Sequence, residues 1–110
     1  KNVRYTDIRT AALVKYAENA FLASKVTFFN EIYKIHQDQG CESSYSDLAE
    51  MIGLDERIGH SHTQVPGKDN KFGWYSHCFN KDLYELEKFG GSSLIKFIRE
   101  LNAEHRSIDS

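Results

Sequence analysis

The chain has 110 residues, of which 40% are hydrophobic and 27% charged, and its formal net charge is −2. This length allows one domain with a modest core, and the charge argues against a nucleic-acid-binding protein, which normally presents a basic face. No apolar run approaches the ~18 residues of a membrane span and no signal peptide opens the chain, so we expect a cytoplasmic protein that binds neither membranes nor nucleic acid.

The first predicted element is a long helix over residues 7–39, where no proline or glycine occurs and apolar residues recur at spacings of three and four. About 33 residues in a helix give a rod of roughly 50 Å, and Gly40 is a natural C-terminal stop. The predicted rod is apolar on nearly all sides. We therefore expect much of it to pack against something beyond this chain, and we expect the chain to be a piece of a longer protein.

A short helix and a long loop follow. Ser44 and Asp47 form a capping signal for a helix that runs to about Ile52 and is closed by Gly53. Residues 55–77 contain three glycines (Gly59, Gly67 and Gly73), Pro66 and a polar run over residues 68–71, and this composition predicts a loop. A loop of about 20 residues in a small domain is uncommon and usually functional.

Two more helices complete the predicted fold. The third runs from about Cys78 to Phe89 and is broken at residues 90–91, and Ser92 or Ser93 caps the last one. The apolar face predicted for the last helix consists of Leu94, Phe97, Ile98 and Leu101. The fold class is all-α: one long central helix and about three shorter helices, forming a single domain over residues 1–110.

Two pairs of polar residues are candidates for catalysis. Cys78 lies at a helix start, where the helix dipole favours the thiolate that a covalent nucleophile needs, and Asp82 follows one turn later on the same face. The alternative for this cysteine is a buried small apolar side chain. Lys15 and Asn19 share one face of the long helix, where they can stabilise an oxyanion or hold a sugar hydroxyl. The alternative is a solvated lysine and a tolerated asparagine.

Other side chains of the loop are open to more than one interpretation. Trp74 and Tyr75 can stack on a base or a sugar, or anchor the loop to the core. Arg57 can pair with a helix end or present its guanidinium to a phosphate. A zinc site would need ligands from His60, His62, His77 and Cys78, but their spacing is not a standard ligand pattern, and we predict no metal site.

Three stretches, in order, resemble the central domain of the UDP-glucose/GDP-mannose dehydrogenase family. KYAENAFLASKVTFFNEI (Lys15 to Ile32) resembles the family's helix with a lysine, an asparagine four residues later and a terminal Asn-Glu. DERIG (Asp55 to Gly59) resembles its D-x-R-I-G motif. VPGKDNKFGWYSHCFNKDL (Val65 to Leu83) resembles its P-G…G-F-G-G-x-C-F-P-K-D motif, with Tyr75 and Ser76 in place of the paired glycines and Asn80 in place of the proline.

The resemblance implies a reaction and catalytic roles. The family oxidises the C6 alcohol of a nucleotide sugar to a carboxylate while two NAD are reduced. Cys78 would attack the C6 aldehyde to give a thiohemiacetal, whose oxidation yields a thioester that water hydrolyses. Lys15 would stabilise the oxyanion, helped by Asn19, which also positions water. Asp82 would hold Lys15 or that water in place.

The resemblance also implies binding roles and partners. Arg57 would reach a neighbour's nucleotide sugar across a homodimer formed through the long helix, and the other substrate-binding residues would be Phe72, Gly73, Trp74 and Lys81. NAD would be bound by domains absent from this chain, which has no G-x-G-x-x-G turn, so we expect the chain alone to be inactive. The alternative, favoured by Tyr75 and Ser76, is a non-catalytic helical dimerisation module derived from the family.

Overall fold

The structure is a computed structural model that describes residues 7–108, apart from the side chains of His77 and Cys78. The described residues form four α-helices and no β-strand, as predicted. In chain order the helices are α1 (Ile8–Gln39), α2 (Tyr45–Gly53), α3 (His77–Gly90) and α4 (Ser93–Arg106).

The ends of α1 are set by its own sequence. Asp7 caps the N-terminus, where its carboxylate accepts hydrogen bonds from the backbone N–H of Thr10 at 2.9 Å and from the Thr10 hydroxyl at 3.0 Å. Gly40 ends the helix in the left-handed conformation with φ of 65°. The predicted long helix is confirmed, and its 32 residues account for most of the 51 Å length of the molecule.

The shorter helices are capped by serines. The Ser44 hydroxyl accepts a hydrogen bond from the backbone N–H of Asp47 at 3.1 Å, and the Ser92 hydroxyl accepts one from that of Ile95 at 3.2 Å. Gly91 ends α3 with φ of 59°. The structure therefore confirms the predicted boundary between α3 and α4 and selects Ser92 as the cap.

Two apolar clusters pack along α1. In its N-terminal half, the small side chains Ala20 and Ala23 allow α3 and α4 to approach closely, and the cluster comprises Ala20, Ala23, Trp74, Leu83, Ile95 and Ile98. In its C-terminal half, Phe29 packs against α2 and the loop in a cluster with Tyr45, Ala49 and Val65. The loop between α2 and α3 is thus held against the middle of the long helix.

The buried face of α4 differs from the prediction. Of the residues predicted to face the core, Ile98 is buried, as predicted, but Leu94 and Phe97 are exposed, and Ile95, which was not predicted, is buried. The buried face continues in polar residues, Asn102 and His105, at the same helical spacing. The prediction considered only apolar side chains. It therefore placed the buried face on the wrong side of α4, away from the two buried polar residues.

A row of apolar side chains on α1 stays uncovered. Val14, Phe21, Phe28 and Ile35 recur every seven residues and are all exposed, Phe21 at 68% and Phe28 at 57%. We term these four side chains the exposed α1 row. Among those residues no helix is long and apolar enough to cross a membrane.

Candidate functional site

The site begins with a contact between α1 and α3. The Asn19 side-chain amide donates a hydrogen bond of 2.6 Å to Oδ2 of Asp82, which is 63 residues away in sequence. Asp82 is only 1% exposed, and its Oδ1 has no hydrogen-bond partner among the described residues. A buried carboxylate with a free acceptor atom can still accept a bond from a substrate hydroxyl, a water or a neighbouring ammonium group.

The two lysines predicted for the site are arranged differently from each other. Lys81 Nζ lies 3.7 Å from Oδ1 of Asp82 and partly balances its charge. Lys15 lies one turn before Asn19 on α1 and is exposed, and it forms no salt bridge with Asp82 in the described part of the chain. The structure therefore brings Asn19, Lys81 and Asp82 together, whereas Lys15 is related to them only by its position one turn from Asn19.

The backbone of Cys78 lies in the first turn of α3, one turn before Asp82, as predicted. Its side chain and that of His77 lie outside the described residues. Ser76 caps this helix, and its hydroxyl accepts a hydrogen bond from the backbone N–H of Phe79 at 3.5 Å. The other cysteine, Cys41, is free and exposed just after α1.

The loop before Cys78 is held by two asparagines, here termed the asparagine clamp. Asn30 of α1 accepts a hydrogen bond from the backbone N–H of Gly73 at 2.9 Å. Asn102 of α4 accepts one from the N–H of Trp74 at 2.7 Å and donates one to its carbonyl at 3.0 Å. A loop whose backbone groups are buried needs such partners. The clamp fixes where the chain enters α3.

Trp74 anchors the loop to the core through its side chain. The ring is buried, and its Nε1 donates a hydrogen bond to the Thr27 hydroxyl at 2.9 Å. Gly73, just before it, has φ of 78°, and a Cβ there would lie 2.6 Å from Oδ1 of Asn102. Both the backbone conformation and the space therefore require glycine at this position.

Three polar side chains of α4 that were not predicted from the sequence contribute to the site. Asn102, His105 and Arg106 all hold the loop or α1: His105 Nε2 lies 2.6 Å from a Glu31 carboxylate oxygen, and Arg106 pairs with Asp69 at 2.8 Å. The available signal was their spacing from Ile95 and Ile98, which puts polar side chains where a buried face continues. The Asn-Glu pair of α1 also has a structural role, because Asn30 binds Gly73 of the loop and Glu31 binds His105 of α4.

A cavity of about 550 Å³ opens beside the loop. Its wall is formed by Val26, His60, Ser61, His62, Gln64, Gly67, Lys68, Asp69, Gly73, Trp74, Tyr75 and Phe79. Burial and the positive charges of Lys25 and Lys68 lower the pKa of His62. The combination of aromatic rings and basic groups is suited to a ligand that carries a ring and a negative charge.

Two predicted substrate residues lie elsewhere. Phe72 packs against Tyr33, with ring centroids 5.4 Å apart, and lines a separate cavity of about 220 Å³. Arg57 lies on the surface, where Nε and Nη2 donate hydrogen bonds of 3.0 and 2.8 Å to the two carboxylate oxygens of Asp55. This pair lowers the pKa of Asp55 and raises that of Arg57. Arg57 also borders an apolar cavity of about 320 Å³ next to Phe21 and Phe28.

The described residues contain no group of three histidines, cysteines or acids that could hold a metal ion. Two of the four residues considered for zinc, His77 and Cys78, have side chains outside the described part of the chain. His60 and His62 both line the large cavity.

Comparison with known proteins identifies the family. Residues 9–104 match the central domain of the UDP-glucose/GDP-mannose dehydrogenase family. The chain belongs to this family. The matched range contains Lys15, Asn19, Asp82 and the asparagine clamp, so the described site lies within the family's domain.

Curated relatives of this family share the same region. The chain is 36% identical over 102 residues to the putative UDP-glucose 6-dehydrogenase YtcA of Bacillus subtilis, a match that covers 88% of this chain and 22% of YtcA. It is 42% identical over 84 residues to a UDP-glucose 6-dehydrogenase of Rhizobium meliloti, covering 76% and 18%. The chain thus spans about a fifth of the length of these dehydrogenases. No solved structure matches it significantly.

NAD does not fit the residues that are described. A dinucleotide fold of the Rossmann type needs a parallel sheet whose first strand leads through a glycine-rich turn into a helix. Residues 7–108 of this family member contain helices and no strand, and the sequence has no G-x-G-x-x-G turn.

Proposed function

We propose that the chain is the central domain of an NAD-dependent nucleotide-sugar 6-dehydrogenase, and that it supplies the cysteine side of the active site and the dimer interface. The observation that carries the proposal is the contact between Asn19 and Asp82, one helical turn from Cys78. Family membership supplies the reaction class, because relatives that cover most of this chain are named UDP-glucose 6-dehydrogenases.

The proposed roles follow from what each group can do. Cys78 forms a carbon–sulfur bond to the C6 aldehyde, and the aldehyde oxygen becomes an oxyanion that takes up a proton. The amide of Asn19 and the ammonium of Lys15 project from the same face of α1 and act as donors to that oxyanion. Asp82 orients the Asn19 amide and, through Oδ1, which accepts no hydrogen bond among the described residues, holds the water that later releases the carboxylate product.

Hydride acceptance is assigned to NAD bound by parts of the longer protein outside this chain. The chain itself is therefore expected to bind and orient substrate without turnover. Gly73, Trp74 and Lys81 would surround the sugar, since the first two line the large cavity and the third neighbours Asp82. Phe72 would act only through the packing of the loop.

The proposed dimer uses the exposed α1 row. Four large apolar side chains at a spacing of seven form a continuous stripe of the kind that two helices bury against each other. Arg57 borders the same face. In the dimer its guanidinium would release Asp55 and bind the nucleotide sugar of the neighbouring subunit.

The test uses the gene product that contains this chain, UDP-glucose and NAD, with NADH formation followed by absorbance. We expect two NADH for each UDP-glucuronate formed. Cys78→Ser should lower kcat at least about a thousandfold, because a serine hydroxyl is a much weaker nucleophile. Cys41→Ser is the matched control and should leave kcat unchanged, since this exposed thiol lies outside the site. Full activity in the Cys78 variant would refute the proposal.

A second candidate is a non-catalytic helical dimerisation module. It is favoured by Tyr75, whose ring lies beside the cavity where the family motif has a glycine. A gene product that dimerises, binds no nucleotide sugar and produces no NADH would support this candidate.

A further inference from the structure

Tyr75 is held in an unusual way for an exposed loop residue. Its side chain is 70% exposed, yet the Arg106 guanidinium lies over its ring at 5.7 Å from the ring centroid. Arg106 is held in turn by Asp69, at 2.8 Å between Nη1 and Oδ2, and this pairing lowers the pKa of Asp69. The guanidinium thus links the ring to the carboxylate, and this arrangement, here termed the Tyr75 stack, gives the exposed ring a preferred position.

The backbone on both sides of the ring is also fixed. Trp74, the preceding residue, is bound by Asn102 through its N–H and its carbonyl. Ser76, the following residue, is the cap of α3. The backbone at Tyr75 is therefore held on both sides, and its side chain, most of which faces solvent, is restrained by the contact with Arg106.

The ring lines the cavity and is close along the chain to the proposed nucleophile. Tyr75 lines the cavity of about 550 Å³, and two residues lie between it and Cys78, so the two backbones are at most about 11 Å apart. If the reacting C6 carbon is at Cys78 and the rest of the nucleotide sugar extends into the cavity, the hexose comes close to this ring. The family motif has a glycine here, which leaves that space open.

We propose that Tyr75 is a specificity-determining residue that narrows the passage for the hexose and selects sugars without a bulky substituent. The inference rests on the proposed function and deepens it. The six-membered ring of the side chain is the selective element, and the Tyr75 stack keeps it in the passage. Arg106 is a positioning residue that acts through the ring.

The experiment compares UDP-glucose with UDP-N-acetylglucosamine, which carries an acetamido group in place of one hydroxyl, on the gene product that contains this chain. The readouts are kcat/KM for NADH formation and Kd by calorimetry, each expressed as the ratio between the two sugars. The ratio is insensitive to partial unfolding, because unfolding changes the value for both sugars by the same factor. Tyr75→Gly should shift the ratio at least about tenfold towards the N-acetyl sugar. Discrimination by a pocket between ligands that differ by one small group is usually of this size.

Two further variants separate the ring from its surroundings. Tyr75→Phe keeps the ring and its contact with Arg106, and should keep the wild-type ratio. Arg106→Met keeps most of the aliphatic stem but removes the guanidinium, and should shift the ratio about two- to fivefold, the strength of an exposed cation–π contact. An unchanged ratio in Tyr75→Gly, or an equal shift in Tyr75→Phe, would overturn the inference.

The outcomes also distinguish the inference from the proposed function. If UDP-glucose is oxidised and Tyr75→Gly leaves the ratio unchanged, the inference about Tyr75 fails and the proposed dehydrogenase function is supported. If the sugars bind without oxidation and the Kd ratio shifts, the inference stands and the dehydrogenase fails. If the wild-type protein neither binds nor oxidises either sugar, both are overturned.

Discussion

Asn19 and Asp82 join the long helix to α3 through a 2.6 Å hydrogen bond between an amide and a carboxylate. The bond lies at the N-terminal half of α1, next to the cluster in which Leu83, the neighbour of Asp82, is fully buried. Its two partners are therefore held by packing before any ligand arrives. Such preorganisation is what a group that orients a catalytic amide requires.

The first prediction concerns the coupling between these two residues. A hydrogen bond to a charged acceptor contributes about 1.5–3 kcal/mol to stability when both partners are desolvated. A double-mutant cycle with Asn19→Ala and Asp82→Ala should give a coupling free energy in that range by urea unfolding. Asn80→Ala, an exposed change in the same helix, is the control and should alter the free energy of unfolding by less than about 0.5 kcal/mol. A coupling near zero would show that the contact does not form in solution.

The second prediction concerns Gly73. Alanine at a left-handed position costs about 1–2 kcal/mol, and at Gly73 the new Cβ would also meet Asn102 Oδ1 at 2.6 Å. Gly40→Ala provides the conformational cost alone, because φ there is 65° and no atom lies within 4 Å of the new Cβ. Gly73→Ala should therefore destabilise the chain by about 1–3 kcal/mol more than Gly40→Ala.

The check is chemical denaturation of both variants, together with hydrogen exchange at the Trp74 amide. Gly73→Ala should accelerate that exchange, since it displaces the acceptor atom of Asn102. Equal stabilities for the two variants would mean that the asparagine clamp yields without cost.

The helices could be predicted from the sequence because their limits depend on neighbouring residues. Asp7, Ser44 and Ser92 cap the helices that follow them, and Gly40 and Gly91 end helices in the left-handed conformation. Each of these signals operates within a few residues, and none requires knowledge of the rest of the fold.

The site was only partly predictable for the opposite reason. Helical spacing pointed to Asn19 and Asp82, and the resemblance implied their roles, but Asn102 acts on Trp74 from 28 residues away and belongs to none of the three motifs. Apolar spacing alone also placed Leu94 and Phe97 in the core, although the buried face of α4 turns out to be half polar. Tertiary contacts of polar side chains leave no local pattern that a count of apolar residues detects.

The third prediction concerns the protonation of His62. Burial and the charges of Lys25 and Lys68 lower its pKa below 6.5. The unfolded chain therefore binds this proton more readily, and the free energy of unfolding should fall as the pH drops through 6.5 towards the pKa of the folded state. Above pH 6.5 His62 is neutral in both the folded and the unfolded chain, so this loss of stability should disappear.

The measurement is an NMR titration of the His62 ring protons. Lys68→Gln removes one of the two positive charges and should raise the pKa of His62 towards 6.5. Lys88→Gln is the control, because this lysine lies in the last turn of α3 and is not among the groups that shift His62. If Lys68→Gln leaves the titration unchanged, the lysine does not approach the cavity in solution.

The last prediction concerns the exposed α1 row. Phe21 and Phe28 each leave more than half of their surface uncovered on one helix face, and a dimer would remove this apolar area from water. We expect the chain to sediment at twice 12.7 kDa and the double variant Phe21→Asp/Phe28→Asp to sediment as a monomer, because the charges cannot be buried unpaired. Phe97→Asp is the control: it places the same charge on an exposed phenylalanine of α4 and should leave the dimer intact. A wild-type monomer, or a dimer that survives the double variant, would place the interface elsewhere and would leave Arg57 without a neighbouring site to reach.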